Sequence, residues 1–332
     1  MSDLSFRLHP DAVVVIRSTL PIGTSREVAT WLGGTATSRV FLNPEFLRQG
    51  SAVNDFERPT RVVIGRFDTA DPKAQRRVEA LYDGIDAEVF VVDATAAELI
   101  KNGANAFLAL RLSFVNEIAT LCEEAGTDVG PVLTAMGADP RIGGAYLRPS
   151  YGFGGSCLPK ELLTLAIAGL GLGLPMHVTT AASTANRAQQ VRFAARIAAR
   201  LGGLEGRQVG VLGLAFKANT DDVRSSPALD LVRHLMRDGA RVRAFDPVAS
   251  ANAARELPDL DIVEAPDVVF DAADVVIIAT EWDQFRTLPW AALRERMHTP
   301  LIVDGRRIVD AGHLRTVGFD VMVLGDGHQA NS

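Results

Sequence analysis

One unbroken helical segment most constrains this chain's fold. Residues 94–125 are rich in Ala, Leu and Glu, contain no proline and stop at Gly126. Upstream, short β-branched runs at 13–16, 40–42, 61–65 and 88–92 alternate with helical patterns near 24–32 and 72–83. Strands alternating with helices predict α/β layers on a mostly parallel sheet. Downstream, a Gly/Pro-rich loop runs from Gly137 to Pro159, and helical patterns resume over 160–170 and 178–201. Strand–helix alternation then returns: strands at 208–214, 241–245, 274–280 and 301–303, with a helix at 227–238 that has Pro227 in its first turn and Gly239 past its end. The strand–turn–helix–strand unit ending at Asp246 reads as a Rossmann-like half. Three zones result, 1–93, 94–202 and 203–332, the middle one a helical connector that also builds an interface.

The 332 residues suffice for two domains, and 47% apolar with 22% charged residues is a globular mixture, neither disordered nor coiled coil. The net charge of −6, from 34 Lys+Arg against 40 Asp+Glu, gives no global field for nucleic acid but leaves room for local basic pockets. Cys122 and Cys157 are too few for a disulfide framework and suit a reducing cytoplasm. Charge cuts every apolar run short of the roughly 20 residues a spanning helix needs. No apolar core follows Arg7, so no signal peptide is expected. A cytoplasmic chain without membrane or nucleic-acid partners, and without a metal site, is the expectation.

Chemistry concentrates in Ser150-Tyr151-Gly152-Phe153-Gly154-Gly155-Ser156-Cys157-Leu158-Pro159-Lys160-Glu161. Its glycines allow close backbone approach, and Pro159 suits the first turn of a helix opening at Cys157. A thiol at a helix N-terminus with Lys160 three residues on is set up as a nucleophile, rather than as a cysteine buried beside a tight turn. Cys122, in mid-helix, reads as packing. Lys101 and Asn105 stand four apart and so share a helix face. Taken alone they read as an exposed lysine with a polar neighbour, and Glu45, after Pro44, as a solvated loop charge.

The loop Gly-Phe-Gly-Gly-Ser-Cys-Leu-Pro-Lys resembles the nucleophile loop of the UDP-glucose/GDP-mannose dehydrogenase family. Further segments match in the same order: Ser18-Thr19-Leu20-Pro21-Ile22-Gly23-Thr24, Asn43-Pro44-Glu45-Phe46-Leu47, the box from Phe216 to Pro227, Thr280-Glu281-Trp282 and Asp304-Gly305-Arg306. The match runs from about residue 12 to 325. It implies an α/β fold of two Rossmann-like parallel-sheet domains, the first incomplete, joined by a long central helix. Residues 1–93 would be the remainder of an NAD-binding domain, 94–202 a connector and dimerisation domain, and 203–332 a UDP-sugar domain.

The resemblance also implies oxidation of a nucleotide-sugar C6 hydroxymethyl to a carboxylate with two NAD, through a thiohemiacetal and a thioester on Cys157. Lys101 and Asn105 would then sit near the sugar C6, stabilising oxyanion character. Glu45 would help to activate water, with Glu161 as a further catalytic carboxylate. Substrate contacts would include Glu45, Phe46, Leu47, Arg48, Gln49, Lys101 and Asn105, the loop residues Tyr146, Leu147, Arg148, Pro149, Ser150 and Gly154, and the cations Lys217, Arg306 and Arg141. Arg141 would be delivered across a homodimer interface built on the central helix. Basic residues suit a diphosphate, although each arginine alone reads equally as a surface charge. Thr19, Gln49, Lys160 and Arg224 would approach NAD. In the third zone, Gly210-Val211-Leu212-Gly213 is a weak dinucleotide fingerprint, and the resemblance assigns that domain to the nucleotide sugar.

Three departures stand out. Gln49 replaces a usual glutamate, and Glu161 replaces an aspartate. Roughly a hundred residues bearing the strand, Gly-x-Gly-x-x-Gly loop and helix of the mononucleotide half have no counterpart. The strand at 13–16 would be left with an open edge. The expectation is a UDP-glucose-type dehydrogenase that binds its sugar nucleotide but reduces little NAD. The alternatives are a GDP-mannose dehydrogenase, a non-catalytic nucleotide-sugar-binding remnant, or half of a split enzyme.

Overall fold

A computed structural model describes residues 8–9 and 11–327. The chain divides into two compact units, Met1–Phe107 with Glu161–Thr179, and Leu108–Lys160 with Thr180–Ser332.

The first unit holds strands β1 (Val14–Ile16), β2 (Val40–Leu42), β3 (Arg61–Arg66) and β4 (Glu88–Asp93), paired in that order. β1–β2 and β3–β4 are parallel, while β2 and β3 run antiparallel and meet at Leu42↔Gly65. Helices α1 (Thr24–Leu32), α2 (Ala52–Glu57) and α3 (Pro72–Glu79) connect them. α3 starts where sequence chemistry demands: the Asp71 side chain accepts from Lys73 N at 2.9 Å, and Pro72 fills the first turn. Phe41, Val62, Ile64, Ala74 and Val78 form one buried layer, and Val28, Ala29, Leu32, Val40 and Ala94 another. Among the described residues, β1 has β2 as its one neighbour.

The long helix α4 (Ala94–Glu124) starts directly after β4. Gly65 lets it lie close to β3, because a Cβ there would fall 2.6 Å from the Ala97 Cβ. α4 belongs to the first unit up to Phe107 and to the second from Leu108. α6 (Leu158–Gly171) and α7 (His177–Leu201) likewise have residues in both units.

In the second unit, α5 (Val129–Gly137) follows α4 at a point the sequence reading passed over. The Asp128 side chain caps it, accepting from Gly130 N at 2.7 Å. Six parallel strands follow: β5 (Gln208–Leu212), β6 (Arg241–Phe245), β7 (Asp261–Ile262), β8 (Val275–Ile278), β9 (Leu301–Asp304) and β10 (Asp320–Val323). Their order is β10-β9-β8-β5-β6-β7, so the chain reverses direction across the sheet between β5 and β8. Helices α8 (Pro227–Arg237), α9 (Ser250–Glu256), α10 (Trp290–Arg294) and α11 (Ala311–Thr316) complete the unit. Val211, Ile277 and Val303 enter one core with Phe193 and Ile197 of α7, while Leu212, Ile278 and Ile302 enter the other with Phe285 and Trp290. A sheet buried on both faces explains why these strands read as continuous apolar runs. β5 ends two residues earlier than expected because Gly213 turns the chain at φ 97, where a Cβ would meet the Thr280 Cβ at 2.3 Å. Among the described residues, no helix is long and apolar enough to cross a membrane.

Candidate active site

In the first unit, α4 presents Lys101 and Asn105 on one face, each paired with a carboxylate. Lys101 is only 3% exposed, which removes the exposed-lysine reading. Its Nζ lies 3.8 Å from Glu45 Oε1 and 5.1 Å from the Phe46 ring centre, over which the Arg61 guanidinium also stands at 4.1 Å. Asn105 Nδ2 donates to the buried carboxylate of Glu161, in the first turn of α6. Asn43 anchors the loop that carries Glu45. Its backbone N–H donates to Ile16 O at 2.8 Å, its side chain donates to Val63 O at 2.8 Å, and its Oδ1 accepts from Arg17 at 2.9 Å. Glu45 Oε2 accepts from Leu47 N at 2.6 Å, which fixes the carboxylate on its own loop.

The remaining expected residues of this unit are placed differently. The Arg48 guanidinium is tied to Asp55 at 2.6 Å and holds that carboxyl far below the usual range. Leu47 and Gln49 are exposed, and Thr19 is half-buried in the turn before α1.

In the second unit, Cys157 is exposed immediately ahead of α6, with Ser156 Oγ 3.6 Å from its Sγ. Two asparagines pin the loop. Asn186 of α7 exchanges two 2.9 Å hydrogen bonds with the Phe153 backbone, and Asn116 of α4 accepts from Ser150 N at 2.8 Å. The two loop glycines are there for close approach, since a Cβ on Gly154 would lie 1.9 Å from Ser225 O and one on Gly155 would lie 2.8 Å from the Phe216 ring. The Phe216–Pro227 box therefore braces the cysteine loop. Arg224 forms a two-pronged bond with Asp222, which pushes the guanidinium up, and charge on Cys157 adds to that push. Lys160 is exposed in the first turn of α6. Cys122 is buried, and burial pushes its thiol up.

At the carboxyl edge of the six-stranded sheet, Lys217 Nζ stands 5.7 Å from the Phe216 ring centre. Arg306 donates to Ala279 O at 2.8 Å and Phe216 O at 3.3 Å, and pairs with Glu281 at 3.4 Å. Arg141 stands apart from these, held by Asp139 at 2.6 Å and mostly exposed. Tyr146 adopts φ 60, Leu147 is half-buried, Arg148 is exposed, and Pro149 and Ser150 are buried. Asp246, at the strand end where a dinucleotide fold keeps its ribose-binding acid, is consumed internally. Its Oδ2 accepts from Leu214 N at 2.7 Å and Ala215 N at 3.1 Å, and its Oδ1 from Val248 N at 3.0 Å and Ala249 N at 2.8 Å. A cavity of about 730 Å³ at the opposite edge, beside Arg207, Asp274 and His298, contains none of the expected residues.

Three sequence models of one family match the chain: its NAD binding domain over residues 1–86, its central domain over 95–188 and its UDP binding domain over 210–311. The chain belongs to the UDP-glucose/GDP-mannose dehydrogenase family. It is similar to the UDP-glucose 6-dehydrogenases of Rickettsia bellii and Rhizobium meliloti, at 36% and 37% identity, covering 97% of this chain and 75% of each relative. Among solved structures it resembles a UDP-glucose dehydrogenase from Pyrobaculum islandicum, with TM-score 0.84, 40% identity, and 94% and 70% of the two chains covered. A UDP-D-ManNAc dehydrogenase from Pyrococcus horikoshii gives TM-score 0.84 at 26% identity, covering 98% of this chain and 75% of that one. The chain is thus an oxidoreductase of a family whose cofactor is NAD, built on the expected α/β fold.

The described residues do not provide a cradle for the NAD pyrophosphate. No strand–Gly-x-Gly-x-x-Gly–helix unit occurs among them. The opening of α1 is already taken by a carboxylate of the chain itself. Gly23 N and Ser25 N donate to the buried Glu98 at 2.6 and 2.8 Å.

Proposed function

We propose that this chain carries the substrate and acyl-transfer machinery of an oxidoreductase that converts UDP-glucose to UDP-glucuronate. The observation that carries the reading is the exposed Cys157 thiol, ahead of α6 on a loop whose backbone is fixed by Asn116 and Asn186. Both oxidation steps need a hydride acceptor, and in this family that chemistry belongs to NAD. The protein's own part is thiol chemistry. Cys157 adds through Sγ to the C6 aldehyde, giving a thiohemiacetal. With NAD bound as the hydride acceptor, removal of hydride from C6 and of the hydroxyl proton would leave a thioester. Water would then displace the Cys157 thiol, which regains its proton, to leave the carboxylate.

Lys101 and Asn105 serve the developing oxyanion. Glu45, beside Lys101, takes the proton of the attacking water. Glu161, hydrogen-bonded to Asn105, sets that amide's orientation. Lys217 and Arg306 meet the nucleotide, and Thr19, Gln49, Lys160 and Arg224 face the dinucleotide. Arg48 is held by Asp55 through both its guanidinium and its backbone N–H, so its part is to fix the loop that follows Glu45. The working assembly is a homodimer through α4. Leu99, Phe107, Phe114 and Leu121 recur on one face of that helix at intervals of seven or eight and are between 46% and 63% exposed.

The test is product formation at high NAD concentration. Cys157→Ser should lower UDP-glucuronate formation by about 10³-fold or more while leaving UDP-glucose binding intact. Turnover that survives this substitution would remove Cys157 from the mechanism. Parallel titrations with GDP-mannose and UDP-D-ManNAc decide the sugar, and tighter binding of either would replace UDP-glucose.

A further inference from the structure

Tyr151 lies within the cysteine loop, yet its side-chain partners belong to the carboxyl edge of the six-stranded sheet and to α7. It is wholly buried, and its hydroxyl donates to Ala279 O, just after β8, at 2.8 Å. The same carbonyl accepts Arg306 Nε at 2.8 Å, and the Arg306 guanidinium stands 4.9 Å from the Tyr151 ring centre. The ring stacks on Phe193 of α7 at 4.8 Å and 19°. Gly305 has no room for a side chain, because a Cβ would fall 2.7 Å from the same ring. Tyr151 and Arg306 thus share an acceptor and a ring contact. They do so beside the β5–β8 reversal, the place where open parallel sheets receive ligands.

We propose that Tyr151 is a positioning residue that couples occupancy of the nucleotide end of the site to the conformation of the Cys157 loop. The proposal rests on the reading of Cys157 as nucleophile and Arg306 as nucleotide contact. A diphosphate approaching Arg306 competes with Glu281 and the two carbonyls for the guanidinium N–H groups. A shift of Arg306 changes both the Ala279 carbonyl and the face of the Tyr151 ring. The tyrosine cannot stay indifferent, since a buried hydroxyl without an acceptor is costly. The backbone from Tyr151 to Cys157 is packed on Asn186, Ser225 and Phe216, so a displacement at Tyr151 is passed along the loop. The chemical benefit is timing, with the thiol presented in its working geometry when a sugar nucleotide is in place.

The experiment uses the full chain and UDP alone, which has no C6 to react. Cys157 alkylation by iodoacetamide is followed by peptide mass, with the 6% exposed Cys122 as internal control. Saturating UDP should slow Cys157 alkylation in the wild type by at least about fivefold, the lower end of ordinary site-to-site coupling. Tyr151→Phe keeps the ring and removes one oxygen. It should bind UDP with a calorimetric Kd within about threefold of wild type while the UDP effect on alkylation falls below about twofold. Phe193→Leu removes the stacking partner, leaves the hydroxyl bond and should retain the UDP effect.

A Tyr151→Phe chain with the full UDP effect overturns the proposal, as does loss of the effect in Phe193→Leu, which would assign it to packing. UDP binding without any change in wild-type alkylation overturns the coupling and leaves the site reading standing. Absence of UDP binding in the wild type sinks the site reading itself.

Discussion

Gly154 carries the tightest constraint in the nucleophile loop, because the Ser225 carbonyl occupies the place of its missing Cβ, 1.9 Å from where that atom would sit. Gly154→Ala must move either the cysteine loop or the turn before α8, at a cost of about 1–3 kcal/mol by the usual measure of overpacking. Urea unfolding should show that loss, whereas Gly144→Ala, with nothing within 4 Å, should stay within about 0.5 kcal/mol of wild type. Equal stability of the two variants would mean that the loop relaxes freely. Tyr151 gives a second residue-scale outcome. Burial raises its hydroxyl from 10.0 to about 12. Between those values the folded chain keeps a proton that the unfolded chain releases. Its contribution to stability is therefore intact below pH 10.0 and declines by about 1.4 kcal/mol per pH unit toward about pH 12. Tyr151→Phe should flatten the alkaline decline in unfolding free energy, and an unchanged slope would place the tyrosine in contact with water.

At the scale of elements, α4 does three jobs. It carries Lys101 and Asn105, supplies Asn116 to the cysteine loop and exposes the Leu99–Phe107–Phe114–Leu121 stripe. Phe114→Glu places a charge in the middle of that stripe. It should convert the proposed homodimer to monomer by light scattering while UDP-glucose binding by the protomer persists. A dimer undisturbed by the glutamate would move the interface elsewhere. α4 was legible in the sequence because it lacks proline and stops at a glycine. Helical spacing put Lys101 and Asn105 on one face, but only the family resemblance singled them out, since alone they read as an exposed lysine with a polar neighbour. α5 was not, since Gly130 and Pro131 in its first turn look like loop residues until the Asp128 cap is seen. The antiparallel step between β2 and β3 was equally hidden, because a single residue pair makes it. In the site, motif positions came from the sequence, but what holds them did not. Asn116, Asn186, Glu98 and Arg61 act on partners far away in the chain, and no local pattern announces such pairs. Asp246 is the reverse case. It has the position of a ribose-binding acid, and only its crowd of backbone donors shows that it organises a turn instead.

For the whole molecule, a chain of net charge −6 must collect an anionic nucleotide sugar with a few placed cations, and many of the described arginines are already paired with carboxylates. Arg48, Arg141 and Arg224 each hold an aspartate, and Arg306 is itself paired with Glu281, so the diphosphate proposed for Lys217 and Arg306 has to compete with that carboxylate. On the dinucleotide side, Glu98 already occupies the helix opening of α1, and no strand–Gly-x-Gly-x-x-Gly–helix unit occurs among the described residues. The two ligands should therefore behave differently in one assay. UDP-glucose should saturate in the usual KM range of about 1 µM to 1 mM, while NADH formation should keep rising in proportion to NAD through about 1 mM and beyond. Non-saturation is the expected mark of a dinucleotide bound by its ends without its pyrophosphate, since phosphate contacts at a helix opening normally supply much of that affinity. Initial rates at fixed UDP-glucose and increasing NAD decide the matter, with Cys157→Ser as the blank. A plateau well below the millimolar range would require a pyrophosphate cradle outside the described residues and would overturn this account of cofactor binding.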